Sequence, residues 1–495
     1  LSFAHCRWLA LLPLLGLGAC VRAAAPAARV TEPVVVTAPA PVAVAPVVVD
    51  AGPPIAAGPD VEVLLAAMSL DQKVGQLMMV GFAGPVVDDD VRELVRGRQV
   101  GGVCLFKRNI VSAEQVATLN DGLRALLEDR VPPFIAVDQE GGNVVRISRG
   151  PVVLPGNMAL GATRAAHLAY EAGRAQGEDL RRLGFNMNLA PVLDINVNPK
   201  NPVIGIRSFG DRADLVSELG AEFVRGQQDA NMVTIAKHFP GHGNTDADSH
   251  KGLPVMRETE KQVLEQVEPF QAAMTAGLDG LMTAHVALPN LTGDDLPATL
   301  SAKILTGLLR QKLGFDGLVL TDELEMDAIV DRFGVGKAAV MAVAAGADMV
   351  LIPWRPEKKT EVHRALLEAA GSGALPLGRI DESVRRILRA KVRRGLFVAP
   401  PPVQERLAQL GAGRKVAQAI AREAVTLVRT DGKVFPLQGK QRLAVITAEG
   451  ALARAILARS PKAAVLVVPP YPAKDQRAAL REKARALAAG ADVVV

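Results

Sequence analysis

Two apolar patterns alternate along the middle of the chain. Short continuous apolar runs at 77–81, 102–106, 134–137, 188–193, 233–237, 280–284, 317–321 and 348–352 have the length and composition of strands buried on both faces. Between them lie longer stretches whose apolar residues recur at helical spacing. Eight buried strands separated by helices predict an α/β fold, a (β/α)8 TIM-type barrel, because continuous apolar strands need helices to cover the outer wall while inward side chains fill the core. Ahead of the first run, SLDQKVGQLMMVGF opens a helix in which Ser69 can cap and Gln72 can close a capping box.

Polar residues fall where the apolar runs stop. Asp138 ends the third run, Asp194 the fourth, Lys237 and His238 the fifth, His285 the sixth, and Asp322 and Glu323 the seventh. In a barrel these strand ends surround one mouth, so residues far apart in sequence converge on a single pocket. The densest stretch is KHFPGHGNTDADSH, from Lys237 to His250, which Pro240, Gly241 and Gly243 mark as a loop leaving a strand.

The barrel with a linker helix is expected over 60–398. The stretch GRIDESVRRILRAKVRRGLF is a solvated amphipathic helix that packs its Val384, Ile387 and Leu388 side against a neighbour. After a proline linker, 404–495 is expected to hold part of a second, C-terminal domain built on a β/α alternation. It comprises a helix through Arg422, the segment 426–437, and strands at 443–447, 463–468 and 492–495. Because the sequence stops inside an apolar strand, that domain is expected to be truncated here, with the natural chain continuing.

The amino end follows another logic. Arg7 and the apolar segment Trp8 to Leu17 form a secretory leader too short to span a bilayer. Its last residues, Leu17, Gly18, Ala19 and Cys20, resemble the lipobox of bacterial lipoproteins. This predicts a signal peptide over 1–20, lipidation at Cys20, and a protein exported and anchored in the cell envelope by lipid alone. Residues 21–59 are nearly all Ala, Pro and Val, an extended tether.

Composition narrows the partners. The net charge of +5 over 495 residues is scattered over many helices with no block of like charge, and aromatics make up only 3%, so no nucleic-acid surface is expected. Beyond Cys6 and Cys20 the sole cysteine is Cys104, inside an apolar run, which suits a core thiol and no disulfide framework. No P-loop, no GxSxG and no strand-borne GxGxxG is present, which leaves nucleotide cofactors and serine-hydrolase chemistry unsupported.

At the mouth, Asp322 and Asp138 are carboxylates, and Arg146, Arg207 and Lys237 are cations able to bind hydroxyls or anions. His250 lies two residues after Asp248, close enough on a turn for the carboxylate to orient the imidazole as a general acid/base. A second carboxylate facing it across a small substrate would supply a nucleophile, as in retaining glycoside hydrolysis. The rival is a metal-dependent barrel hydrolase with ligands among His238, His242, Asp246, Asp248 and His250. Against it, those ligands come mostly from one loop and the first strand is wholly apolar, so neither a metal nor any other cofactor is expected.

The stretches KHFPGHGNTDADSH, AVDQEGGNVVRI, NLAPVLDINVNPKNPVIGIRSFG and GLVLTDELEMDAI, in that order, resemble the β-N-acetylglucosaminidases of glycoside hydrolase family 3, over roughly 61–437. The resemblance implies that Asp322 is the nucleophile, His250 the acid/base and Asp248 its orienting partner. By the same resemblance Asp138, Arg146, Arg207, Lys237 and His238 hold the sugar, and 404–495 looks like part of the C-terminal α/β sandwich domain of two-domain members. Asn143 departs from the arginine usual after DQEGG, which bears on one peripheral contact. The implied activity is retaining release of terminal β-linked N-acetylglucosamine from cell-wall or chitin-type oligosaccharides, without a cofactor. The alternative of another class is a non-catalytic sugar-binding lipoprotein.

Overall fold

The computed structural model describes residues 58–249, 252–426, 439–469 and 472–495. Residues 1–57, which include the expected leader with Cys20 and nearly all of the expected tether, His250, and all but the first residue of 426–437 lie outside the described residues.

Eight parallel strands close into a barrel: β1 (Met78–Val80), β2 (Gly102–Leu105), β3 (Phe134–Val137), β4 (Met187–Asn188), β5 (Val233–Phe239), β6 (Gly280–Thr283), β7 (Leu318–Glu323) and β8 (Met349–Ile352). Closure comes from β1 pairing with β8, Met79 opposite Leu351. Helices such as Ala113–Ala125, Ala166–Arg182, Ala213–Asp229 and Glu260–Thr275 cover the outer wall. This is the (β/α)8 architecture that the alternating pattern predicts.

The strands show a two-residue alternation that decides where each side chain goes. Phe134 and Ala136 of β3, Val233 and Ile235 of β5, and Leu318 and Leu320 of β7 belong to one interior cluster inside the barrel. Ile135, Val137, Ala236 and Val319 belong to the second cluster, beneath the helices. Continuing the interior parity by one step reaches Asp138, Lys237 and Asp322, so all three enter the mouth by the same pleat that fills the core. Cys104 is buried in the interior cluster, as its apolar run suggests.

Several boundaries differ from the sequence expectation. The Ser69 helix has its capping box but ends at Gln76, and Met78–Val80 is strand, because those residues are wholly buried between β2 and β8. Lys237, His238 and Phe239 continue β5, hydrogen-bonded alongside β6, so the loop begins only at Pro240. β7 likewise runs two residues further, through Asp322 and Glu323. β4 is short: beyond Asn188 the chain reaches Pro191, which has no N–H to donate, and Val192 makes only an isolated bridge to Lys237.

The helix Leu377–Arg393 closes the bottom, burying Val384, Ile387 and Leu388. Its Lys391 Nζ is buried 4.8 Å from the Phe134 ring centroid and donates to Gln76 Oε1 at 2.8 Å. At the same end Asp348, fully buried, accepts from Arg310 (2.7 Å), Ser383 (2.9 Å), the Val319 amide (3.0 Å), Arg379 (3.2 Å) and Arg386 (3.3 Å). One carboxylate thereby ties β7, β8 and the closing helix together. Helices Val403–Leu407 and Arg414–Glu423 lie against the barrel, with Arg406 gripping Asp121 and the Gly411 amide donating to Asp179. A three-stranded parallel sheet, β9 (Leu443–Thr447), β10 (Ala464–Val467) and β11 (Val493–Val494), follows with β9 in the middle.

Candidate active site

A cavity of about 650 Å³ opens at the C-terminal ends of the strands, and Asp138, Arg146, Arg207, Lys237, His238 and Asp322 all line it. Five elements bring these six side chains together: β3, the loop after it, the turn Gly205–Arg207, β5 and β7.

The loop after β3 is fixed from within. Buried Gln139 accepts from the amides of Arg146 (2.9 Å) and Ile147 (3.2 Å) and donates to the Ile147 carbonyl (3.0 Å), which sets where Arg146 points. The turn needs glycine at 141 and 142, where φ is +94° and +55° and a Cβ at 141 would lie 3.0 Å from Leu154.

Charges interlock along one wall. Lys237 Nζ lies 2.5 Å from Asp138 Oδ1 and 2.8 Å from Glu140 Oε1; Arg207 forks onto Glu140 at 2.8 and 2.9 Å, and Arg146 reaches Asp138 at 3.6 Å. Burial pushes the Glu140 carboxyl up, but Lys237 and Arg207 overcome it and hold the group well below the ordinary carboxylate range. Burial likewise disfavours the Lys237 ammonium, and Asp138 and Glu140 more than reverse this. Glu140 and Lys237 therefore stay charged at neutral pH, with donors and acceptors fixed before a ligand arrives.

Asp322 stands at the end of β7. Burial would raise its carboxyl, yet His238, His285, the Glu323 amide at 2.8 Å and Lys237 bring it below the ordinary value, so it is an anion. His238 is held by its Nδ1–H on Asp194 Oδ2 at 2.7 Å, which leaves Nε2 toward the cavity. Asp194 also accepts the backbone N–H of His242 at 2.7 Å and lies wholly beneath the surface.

His242 sits between Thr245 Oγ1 (2.8 Å, at Nδ1) and Ser249 Oγ (3.1 Å, at Nε2), and burial lowers its pKa. Asn201 donates to the His242 carbonyl at 2.8 Å and Asn198 to the Thr245 carbonyl at 3.1 Å, which fastens the loop to the one after β4. Gly243 is required there, since a Cβ would lie 1.8 Å from the Ile195 carbonyl oxygen. Asp248 is half-buried one residue before Ser249. Among the described residues, no group of three or more His, Cys, Asp and Glu comes together as a metal site.

His285 does not line the cavity. It bonds Thr299 Oγ1 (2.7 Å) and the Glu323 carbonyl (2.9 Å), bracing the strand that carries Asp322. Glu323, which the sequence places at the end of the seventh run, does line the cavity; sequence reasoning left out Glu140, whose signal was its place two residues after Asp138, and the rim formed by Phe106, Arg108, Glu325 and Trp354, most of which follow strand ends.

Residues 69–390 match the family model for the glycosyl hydrolase family 3 N-terminal domain. The chain belongs to glycosyl hydrolase family 3. As a family 3 member it is a glycoside hydrolase. It is 32% identical to beta-hexosaminidase A of Pseudoalteromonas piscicida, over 75% of this chain and 69% of that one. It is 39% identical to the beta-hexosaminidase of Thiobacillus denitrificans, over 58% and 80%. Among solved structures, the family 3 beta-N-acetylglucosaminidase of Paenibacillus sp. FPU-7 is 40% identical, covering 86% of this chain and 84% of that one, with a TM-score of 0.80.

Proposed function

We propose that this family 3 chain is a retaining exo-β-N-acetylglucosaminidase acting on cell-wall or chitin-type oligosaccharides. The observation that carries the reading is the anionic Asp322 at the end of β7, in one cavity with the prebuilt wall of Asp138, Arg146, Arg207, Lys237 and His238. The relatives named for hexosaminidase activity support the choice of N-acetylhexosamine.

In this mechanism the hydroxyls of the terminal sugar exchange hydrogen bonds with water for bonds to Asp138, Lys237, Arg146, Arg207 and His238, which fixes the anomeric carbon over Asp322. Asp322 attacks that carbon while His250, oriented by Asp248, protonates the departing oxygen. The product of this step is a glycosyl ester on Asp322. The neutral imidazole then takes a proton from water, which attacks the ester from the face the leaving group left, so the configuration is retained. The cations near Asp322 favour the carboxylate in the free enzyme and as the leaving group of the second step.

Export and lipid attachment at Cys20 belong to the same proposal, since the Ala/Pro/Val tether would let the barrel reach envelope glycans. The testing experiment is proton NMR of an aryl β-N-acetylglucosaminide digest at early times. The β-anomer of N-acetylglucosamine should form first; α-anomer first, or no release of the sugar, would overturn the reading.

A further inference from the structure

Next to the charged wall, where Arg146 lies 5.9 Å from the Phe106 ring centroid, the ends of β2 and β8 build a different surface at the cavity rim. Trp354 follows β8 and leaves 46% of its surface exposed at the cavity rim. Among the described residues it is the sole tryptophan, the second of the chain's two being Trp8. An indole so placed forgoes much of the burial its size would give, which points to an unmet partner.

Its orientation is set from three directions. The Arg108 guanidinium lies over the indole at 4.2 Å and over the Phe106 ring at 4.9 Å, with the two rings 4.8 Å apart. Arg108 is itself bolted in place by the carbonyls of Phe82 and Pro353, each at 2.8 Å. Buried Glu325 accepts from the amides of Trp354 (2.7 Å) and Arg355 (3.0 Å), fixing the backbone beneath the ring. Holding one exposed aromatic by so many contacts limits the ordering cost when a ligand packs on it.

We propose that Trp354, backed by Arg108 and Phe106, is the stacking platform for the departing ring of the substrate, a β-linked pyranose on the leaving side of the scissile bond. The inference rests on the reading of the cavity as an N-acetylglucosaminidase site. The ligands of the terminal sugar come from β3, the β4 turn and β5, and Asp322 on β7 faces the bond to be broken. The rim on β2 and β8 is thus left for what extends outward. A pyranose with equatorial substituents presents a face of axial C–H groups, and a flat aromatic surface excludes water from that face without asking for directional bonds.

The test compares two substrates on the full chain. N,N′-diacetylchitobiose carries a departing ring, whereas the β-fluoride of N-acetylglucosamine departs as one atom. In Trp354→Ala the ratio of kcat/KM for chitobiose to that for the fluoride should fall by roughly tenfold or more, with Trp354→Phe recovering most of the ratio. A second measurement uses Asp322→Asn: chitobiose should alter tryptophan emission, and the change should vanish in Asp322→Asn/Trp354→Phe. An unchanged ratio, whether both rates fall together or neither falls, would overturn the platform. Failure of the wild type to turn over the fluoride would instead overturn the reading of the site, and the inference with it.

Discussion

Glu323 sits beside the proposed nucleophile with its proton retained. Burial, together with the charges of Asp322 and Glu325, pushes its carboxyl up to about 8, against the opposing pull of Trp354 and Arg108. In the unfolded chain the same group releases its proton near the ordinary glutamate value of 4.5. Folding therefore takes up a proton between these limits. The stability linked to this group is whole below pH 4.5 and drains as the pH rises to about 8. A gap of about 3.5 pH units at about 1.36 kcal/mol each sets a ceiling near 5 kcal/mol, and partial exposure to water discounts it to about 2 kcal/mol. Glu323→Gln keeps the shape and removes the titration. Urea unfolding at pH 5, 7 and 9, followed by circular dichroism, should show the variant gaining on the wild type by about 2 kcal/mol between pH 5 and pH 9. Parallel stability curves across that range would refute the argument.

Three further outcomes are expected. Asp348→Ala strips five donors of their shared acceptor at the barrel floor and should cost about 3–5 kcal/mol in urea unfolding, while activity per folded molecule is kept, because the residue is remote from the cavity. Gly243→Ala drives a methyl into the Ile195 carbonyl and should displace the histidine loop, lowering kcat/KM by roughly 10²-fold with the far-ultraviolet spectrum intact; a normal rate would show that the loop's seat on the β4 segment does not matter. Cys20→Ser should move the protein from the membrane to the soluble fraction of a bacterial host, and a wild type already soluble would remove the lipid anchor.

Much of the fold could be read from sequence because one physical rule governs it. A buried strand has to be apolar on both faces, so each barrel strand announces itself, and the first polar residue after it marks the mouth. That rule found Asp138, Lys237 and Asp322. It misjudged where β5 and β7 end, because Lys237, His238, Asp322 and Glu323 are polar yet remain in the ladder: a cavity rather than the packed core receives their side chains. The roles of Glu140 and Asp194 were not legible for another reason. Both act through partners distant in sequence, Arg207 and Lys237 for one and His238 and His242 for the other, and pairings of that kind exist only once the barrel has closed. Trp354 stayed hidden in the same way, since nothing in PWRP shows that Arg108 and Phe106 will meet it.

The central claim is that Asp322 forms a bond to the sugar. The most direct measurement is intact-protein mass spectrometry after reaction with a 5-fluoro N-acetylglucosaminyl fluoride, whose ring fluorine slows breakdown of the ester, followed by peptide mapping of the labelled chain. The account expects one sugar added per chain, located on Asp322, and no addition in Asp322→Asn. A label on another residue, or turnover of the reagent without any covalent adduct, would contradict it.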